Sequence, residues 1–139
     1  MRTRKLATLL AGAALASTTL VVVGAAPASA AGPCGSSYSR VGVYAIPKTG
    51  TRTGTLEVYY SSSTGKNCAL AYGYGSNYGT TTWKGVSISR ANGTGYDVDA
   101  DYYQYYAGPV YVSAPGTCIN VSGSVVAAKT TSLNNVHCG

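Results

Sequence analysis

The chain has 139 residues and a formal net charge of +6, with 13 Tyr, one Trp, no Phe and four Cys. That length suits one modest domain and excludes two. Beyond the first five residues its seven basic residues are scattered and form no phosphate-facing stripe, which argues against nucleic-acid recognition.

The amino terminus reads as a helical signal peptide over residues 1–30. Arg2, Arg4 and Lys5 form a basic start, an uncharged apolar stretch follows from Leu6 to Ala26, and Ala28-Ser29-Ala30 supplies the small residues of a cleavage site. Cys34 follows Gly32-Pro33, which does not fit a lipid-anchor motif, and no twin-arginine pair is present. No second apolar span follows, so the mature protein is expected to be exported with no transmembrane anchor. Cleavage after Ala30 leaves residues 31–139 as one secreted domain. Seven basic residues then stand against four acidic ones, a formal charge of +3. Weak attraction to an anionic wall is the natural use of so small a charge.

Helix signals are nearly absent from the mature part, and short alternating runs are frequent. The first predicted strand is Val41–Ile46, ended by Pro47. The second is Thr55–Tyr60, and a Ser/Thr/Gly turn leads to the third at Cys68–Tyr72. Residues 81–90 make a fourth, with room for a bulge at Gly85. Asn92-Gly93 signals a hairpin whose two central residues are expected at positive φ. Tyr96–Tyr106 returns as the fifth strand and Pro109–Ser113 is the sixth. Pro109 removes a ladder donor, so an edge or a break is expected there. Cys118–Val121 and the stretch near Val125-Val126 complete the series. Seven or eight short strands between turns predict an all-β domain, a small disulfide-stapled β-sandwich, with a small open β-barrel as the competing architecture.

Export makes the cysteines structural bridges. Four cysteines allow three pairings. Cys34–Cys68 with Cys118–Cys138 is favoured, because the first ties the amino-terminal segment to a core strand and the second clips the carboxyl end. Zinc is disfavoured, since no Cys-x-x-Cys pair occurs.

Few residues are suited to catalysis. His137 is the sole histidine, no Gly-x-Ser-x-Gly elbow appears, and carboxylate pairs could come only from Glu57 and the Asp97, Asp99, Asp101 set. No enzyme activity and no cofactor are expected. The three aspartates match only the opening of a calcium loop, so a metal site there is a weak competitor. As a strand they share one face, read as a solvated face with Lys or Arg opposite, and Tyr96, Val98, Ala100 and Tyr102 share the other. The aromatic residues supply the candidate interaction surface. It is assigned to Trp83, Tyr102, Tyr103, Tyr105, Tyr106 and Tyr111, within or beside a charge-free segment Tyr102–Tyr111 that the aspartates would guard against uncontrolled stacking.

Several short motifs carry a family resemblance. They are Tyr105-Tyr106-Ala107-Gly108-Pro109-Val110-Tyr111, Ala114-Pro115-Gly116-x-Cys118, Ser122-Gly123 and the closing His137-Cys138-Gly139. Cys34-Gly35 and Gly65-Lys66-Asn67-Cys68 fit as well. The chain resembles the spore-associated protein A family, small secreted proteins of mycelial, spore-forming bacteria. It departs in having Asn120-Val121 where a tryptophan often follows the third cysteine, and Asp97-Val98-Asp99 in place of a Ser/Gly-rich stretch. The resemblance implies a spore or cell-surface location and a non-enzymatic role, and it carries over no catalytic residue. The expected partners are spore or cell-wall components, polysaccharide among them. A wall-binding module that stacks Tyr and Trp on sugars is the second reading, and a secreted inhibitor or toxin the third.

Overall fold

Eight strands form: β1 (Ser39–Ile46), β2 (Gly54–Ser61), β3 (Lys66–Gly73), β4 (Thr82–Arg90), β5 (Asp97–Tyr103), β6 (Tyr106–Ser113), β7 (Ile119–Val125) and β8 (Thr130–Val136). They come from a computed structural model that describes residues 32–139; the predicted signal segment 1–30 lies outside them. Two four-stranded antiparallel sheets result. Sheet A has the order β1-β2-β3-β6, and sheet B has β5-β4-β7-β8. The expected sandwich is therefore present, and the sheets do not join into a closed barrel. Among the described residues no helix is long and apolar enough to cross a membrane.

Alternation along each strand sets the core. Ile46, Leu56, Val58, Val86, Ile88, Val110, Val112, Ile119, Val121 and Val125 are buried between the sheets, with Ala69, Ala71 and Ala107. Each large aliphatic side chain contributes about 1.5–3 kcal/mol by leaving water. Gly123 is a point of close approach within this core. A Cβ there would meet Ile46 Cδ1 at 2.9 Å and Leu56 Cδ1 at 3.1 Å, so the bare backbone of β7 makes room for both. Lys84 is the unexpected member of the interior. It is fully buried, and its Nζ donates to Tyr103 O (2.7 Å), Thr82 Oγ1 (2.8 Å) and Thr80 O (3.1 Å). Burial holds its ammonium below the ordinary lysine range.

The bridges are Cys34–Cys68 and Cys118–Cys138. The first lies in a small second core on the outside of sheet A. There Cys34, Cys68 and Leu70 are buried beneath Tyr38, Tyr59, Tyr72, Tyr106 and Tyr111.

Three local expectations change. Gly85 carries no bulge, because its pairing with Ala100 on one side and Ser124 on the other is continuous. Register shifts fall instead at Arg40/Gly42, Ala69/Ala71 and Ile119/Val121. The Asn92-Gly93 turn forms with only Gly93 at positive φ (83°). Gly93 N–H donates to Arg90 O (2.8 Å) and Arg90 N–H to Thr94 O (2.9 Å), the pattern of a three-residue loop closed by a left-handed glycine. Asn92 Oδ1 accepts from Thr94 N–H and Oγ1 instead. Finally, the long fifth strand is two strands. β5 ends at Tyr103, and Gln104-Tyr105 carries the chain from sheet B to β6, an edge of sheet A. Pro109 sits in that edge strand, where a missing donor is tolerated.

Candidate binding surface

The chain crossing at Gln104-Tyr105 separates the tyrosines that are adjacent in sequence. Tyr102 ends up on the outer face of sheet B, directly across from Trp83. Their rings meet edge to face at 5.7 Å, and they are 67% and 36% exposed. Tyr103 points the other way. It packs on the main core, and its hydroxyl donates to Asp99 Oδ1 at 2.6 Å. That bond raises its phenol to about 12. Tyr105 stands exposed in the connection. Tyr106 and Tyr111 belong to the roof over Leu70 on the far side of the molecule, where Tyr111 Oη donates to Cys34 O at 3.1 Å. Of the six aromatic residues assigned to one surface, five thus lie on three separate surfaces, and Tyr103 packs on the core.

The aspartates are also reversed. Asp97 and Asp99 are half-buried and point toward sheet A, whereas Tyr96, Val98, Ala100 and Tyr102 are exposed on the outside. Asp99 Oδ2 accepts from Gly108 N–H (2.7 Å), and Asp97 Oδ2 accepts from Tyr111 N–H (2.9 Å). Both amides lie on the edge strand β6. The carboxylates stand where a neighbouring strand's carbonyls would stand, which blunts that edge. Asp101 is exposed and accepts only from the adjacent Tyr102 N–H. Lys84 does pair with Asp101 in register, but its ammonium turns to the three oxygens named above and makes no ion pair with it. The expected solvated acidic face is therefore a set of hydrogen-bonded caps. Among the described residues no group of three His, Cys, Asp or Glu is arranged to hold a metal ion.

The reversal leaves the outer face of sheet B open. β4 contributes Trp83, Gly85 and Ser87, and β5 contributes Val98, Ala100 and Tyr102. β7 adds Asn120, Ser122 and Ser124, and β8 adds Ser132 and Asn134. None of these is charged. Two shallow depressions of about 130 and 190 Å³ lie along it, with Tyr96 on the border of both. Gly85 keeps the shelf beside Trp83 low, since a Cβ there would lie 3.0 Å from Ser124 Oγ and 3.2 Å from Ala100 Cβ. Ser122 and Ser132 bond hydroxyl to hydroxyl at 2.9 Å. Tyr96 and the row of serines were missed in the sequence. The signal was there, in the spacing of Tyr96, Val98, Ala100 and Tyr102, but it was assigned to the opposite face.

His137 offers no hydrolytic geometry. Its Nε2 lies 2.9 Å from the Tyr44 hydroxyl, and burial lowers its pKa. A cavity of about 220 Å³ beside it is lined by Val41, Tyr60, Asn67, Cys138 and Gly139, with no acidic side chain.

Spore-associated protein A of Streptomyces coelicolor is 36% identical to this chain over 126 residues, which covers 86% of this chain and 78% of that protein. The chain belongs to the spore-associated protein A family. No family model matches it, and no solved structure does. The residues at the two departures that the resemblance implied both have structural roles here. Asp97 and Asp99 cap β6, and Asn120 donates to Ala91 O of the β4–β5 turn (3.2 Å) and accepts from Asn135 N–H of β8 (3.1 Å).

Proposed function

We propose that this protein is a non-enzymatic, exported surface protein of the spore, and that the outer face of sheet B is how it attaches. The observation that carries this reading is that open, charge-free face with its exposed Trp83–Tyr102 pair. The relative's name supports the spore setting. The two disulfides suit an oxidising compartment. A non-enzymatic role is supported by how the ionisable side chains are engaged. His137 faces a phenol, and the inward aspartates cap backbone amides.

The chemistry of the face favours a neutral polysaccharide as the component bound. Aromatic rings stack on the apolar faces of sugars, and serine and asparagine side chains exchange hydrogen bonds with sugar hydroxyls. A charge-free surface gives no advantage to an anionic polymer. From Tyr102 to Tyr96 the extended backbone covers about 20 Å, enough for a short run of sugar units.

Binding of the purified protein to spores, mycelial walls, chitin and cellulose tests the proposal. Attachment should saturate, compete with soluble neutral oligosaccharide, and weaken about tenfold or more in Trp83→Ala and in Tyr102→Ala. Saturable attachment unaffected by both variants would move the site elsewhere. Attachment abolished by moderate salt would make it electrostatic and refute the neutral ligand.

A further inference from the structure

Tyr78 and Tyr105 are distant in sequence and adjacent in space. Tyr78 follows the short 3-10 turn Gly75–Asn77 after β3, and Tyr105 sits in the β5–β6 connection. Three hydrogen bonds lock the two segments together. Gly73 N–H donates to Tyr105 O and Gly79 N–H to Gln104 O, while Gln104 Nε2 donates to Gly79 O, all at 3.0 Å. The rings lie with centroids 5.0 Å apart at 62°. They are 56% and 44% exposed, and neither hydroxyl has a hydrogen-bond partner among the described residues.

The other two close tyrosine pairs differ in burial or in the engagement of a hydroxyl. Tyr72 and Tyr106 lie 5.2 Å apart, but both are half-buried on strands in the roof over Leu70. Tyr38 and Tyr111 lie 5.7 Å apart, and the Tyr111 hydroxyl is held by Cys34 O. Tyr78 and Tyr105 are outside the strands, so their rings can turn from edge-to-face to the side-by-side approach that bonding needs, while the backbone keeps them together.

We propose that Tyr78–Tyr105 is a site of oxidative phenol coupling, driven by hydrogen peroxide and a peroxidase acting from solution. Each phenol gives up one electron and one proton, and the two phenoxyl radicals form a carbon–carbon bond between ring carbons ortho to the hydroxyls. The two ring hydrogens at those carbons then migrate to oxygen and restore both phenols. The peroxide accepts the two electrons and two protons and leaves as two waters. The product is a cross-link that reductants do not cleave, and it fastens the β3–β4 connection to the β5–β6 crossing. It complements the two disulfides at an end of the sandwich that neither of them reaches. This inference is independent of what binds sheet B.

The purified protein would be treated with horseradish peroxidase and hydrogen peroxide, reduced, and mapped by mass spectrometry beside its dityrosine fluorescence. A Tyr78–Tyr105 linked peptide lacking two hydrogens should be the main product in the monomer fraction. Tyr78→Phe and Tyr105→Phe should each bring the monomer fluorescence to background, whereas Tyr72→Phe should leave it unchanged. The Phe variants keep the ring contact, and an unchanged melting curve would verify their folds. The proposal is overturned if coupling occurs only between molecules, or if the linked peptides join other tyrosines. Full monomer yield in both Phe variants would overturn it as well.

Discussion

The aspartate caps on β6 make a quantitative test of how the sandwich closes. Asp99 Oδ2 and Asp97 Oδ2 each hold one edge amide, at 2.7 and 2.9 Å, and Asp99 also takes the Tyr103 hydroxyl. A hydrogen bond to a charged group contributes about 1.5–3 kcal/mol, and partial exposure puts these near the lower end. Asp97→Ala should therefore cost about 1.5 kcal/mol, and Asp99→Ala about 2 kcal/mol or somewhat more. Asp101→Ala is the internal control. Its carboxylate is exposed and serves only the neighbouring amide, so its cost should stay within about 0.5 kcal/mol. With a urea slope of about 1–3 kcal/mol per molar, Asp99→Ala should move the midpoint by roughly 1 M. Asp99→Asn keeps an acceptor and should lose about half as much as the alanine variant. The Asp97→Ala, Asp99→Ala double variant also frees two amides of an edge strand, so sedimentation should show association that the single Asp101 variant lacks. Equal destabilisation by all three single alanine variants would refute the capping argument, because it would leave only net charge as the cause.

Three further outcomes are expected. Tyr72 is pushed up to about 12 by burial and Tyr103 to about 12 by its bond to Asp99, so folding favours both neutral phenols. Their contribution is fully present below pH 10 and is lost as pH rises toward 12; melting temperature against pH should fall across that window, less steeply in Tyr103→Phe. His137 is shifted the other way, and its neutral ring is the one that folding favours, so stability should decline as pH falls below 6.5 and through its lowered folded value; His137→Phe should flatten that part of the curve. The disulfides should differ in weight: loop closure alone predicts about 4 kcal/mol for Cys34–Cys68 and about 3 for Cys118–Cys138, and only the first is also embedded in a buried cluster. Urea denaturation should therefore find Cys68→Ser more damaging than Cys138→Ser, and the reverse order would contradict the roofed-core description.

The strands and turns were legible because alternation and turn chemistry are local. Val41–Ile46, Thr55–Tyr60 and Cys68–Tyr72 carry their own period, and Pro47 and Gly65 end or turn them where they stand. What alternation does not carry is its sign. In and just before β5, acids at Asp97 and Asp99 and apolar groups at Tyr96 and Val98 read naturally as outside and inside. The structure inverts them, because the inner side of that edge strand faces the unpaired amides of β6. Those amides come from 9 and 14 residues further along the chain and belong to the other sheet. Only the crossing at Gln104-Tyr105 brings them there, and nothing in the residue types marks a crossing in place of a continuing strand. The same event explains the tyrosines: five within Tyr102–Tyr111 read as one surface because they are neighbours in sequence, and a change of sheet distributes them.

One consequence links the fold to the site. A sandwich can associate through its edges or through its faces. At the β5–β6 side the edge of sheet A is occupied by carboxylates, and on the outside of sheet A the tyrosine roof already covers the small disulfide core. The inversion of β5 that supplies the caps is the same inversion that turns Tyr96, Val98 and Tyr102 outward beside Trp83. Substituting Asp97 and Asp99 therefore tests more than stability. If the strand is held in its present sense by those two carboxylates, the double alanine variant should lose protection of the Gly108 and Tyr111 amides in hydrogen exchange. It should also lose the Trp83–Tyr102 contact, which tryptophan fluorescence reports. Loss of amide protection with an unchanged tryptophan environment would show that the outer face is set by β4 alone and that the caps serve only the edge.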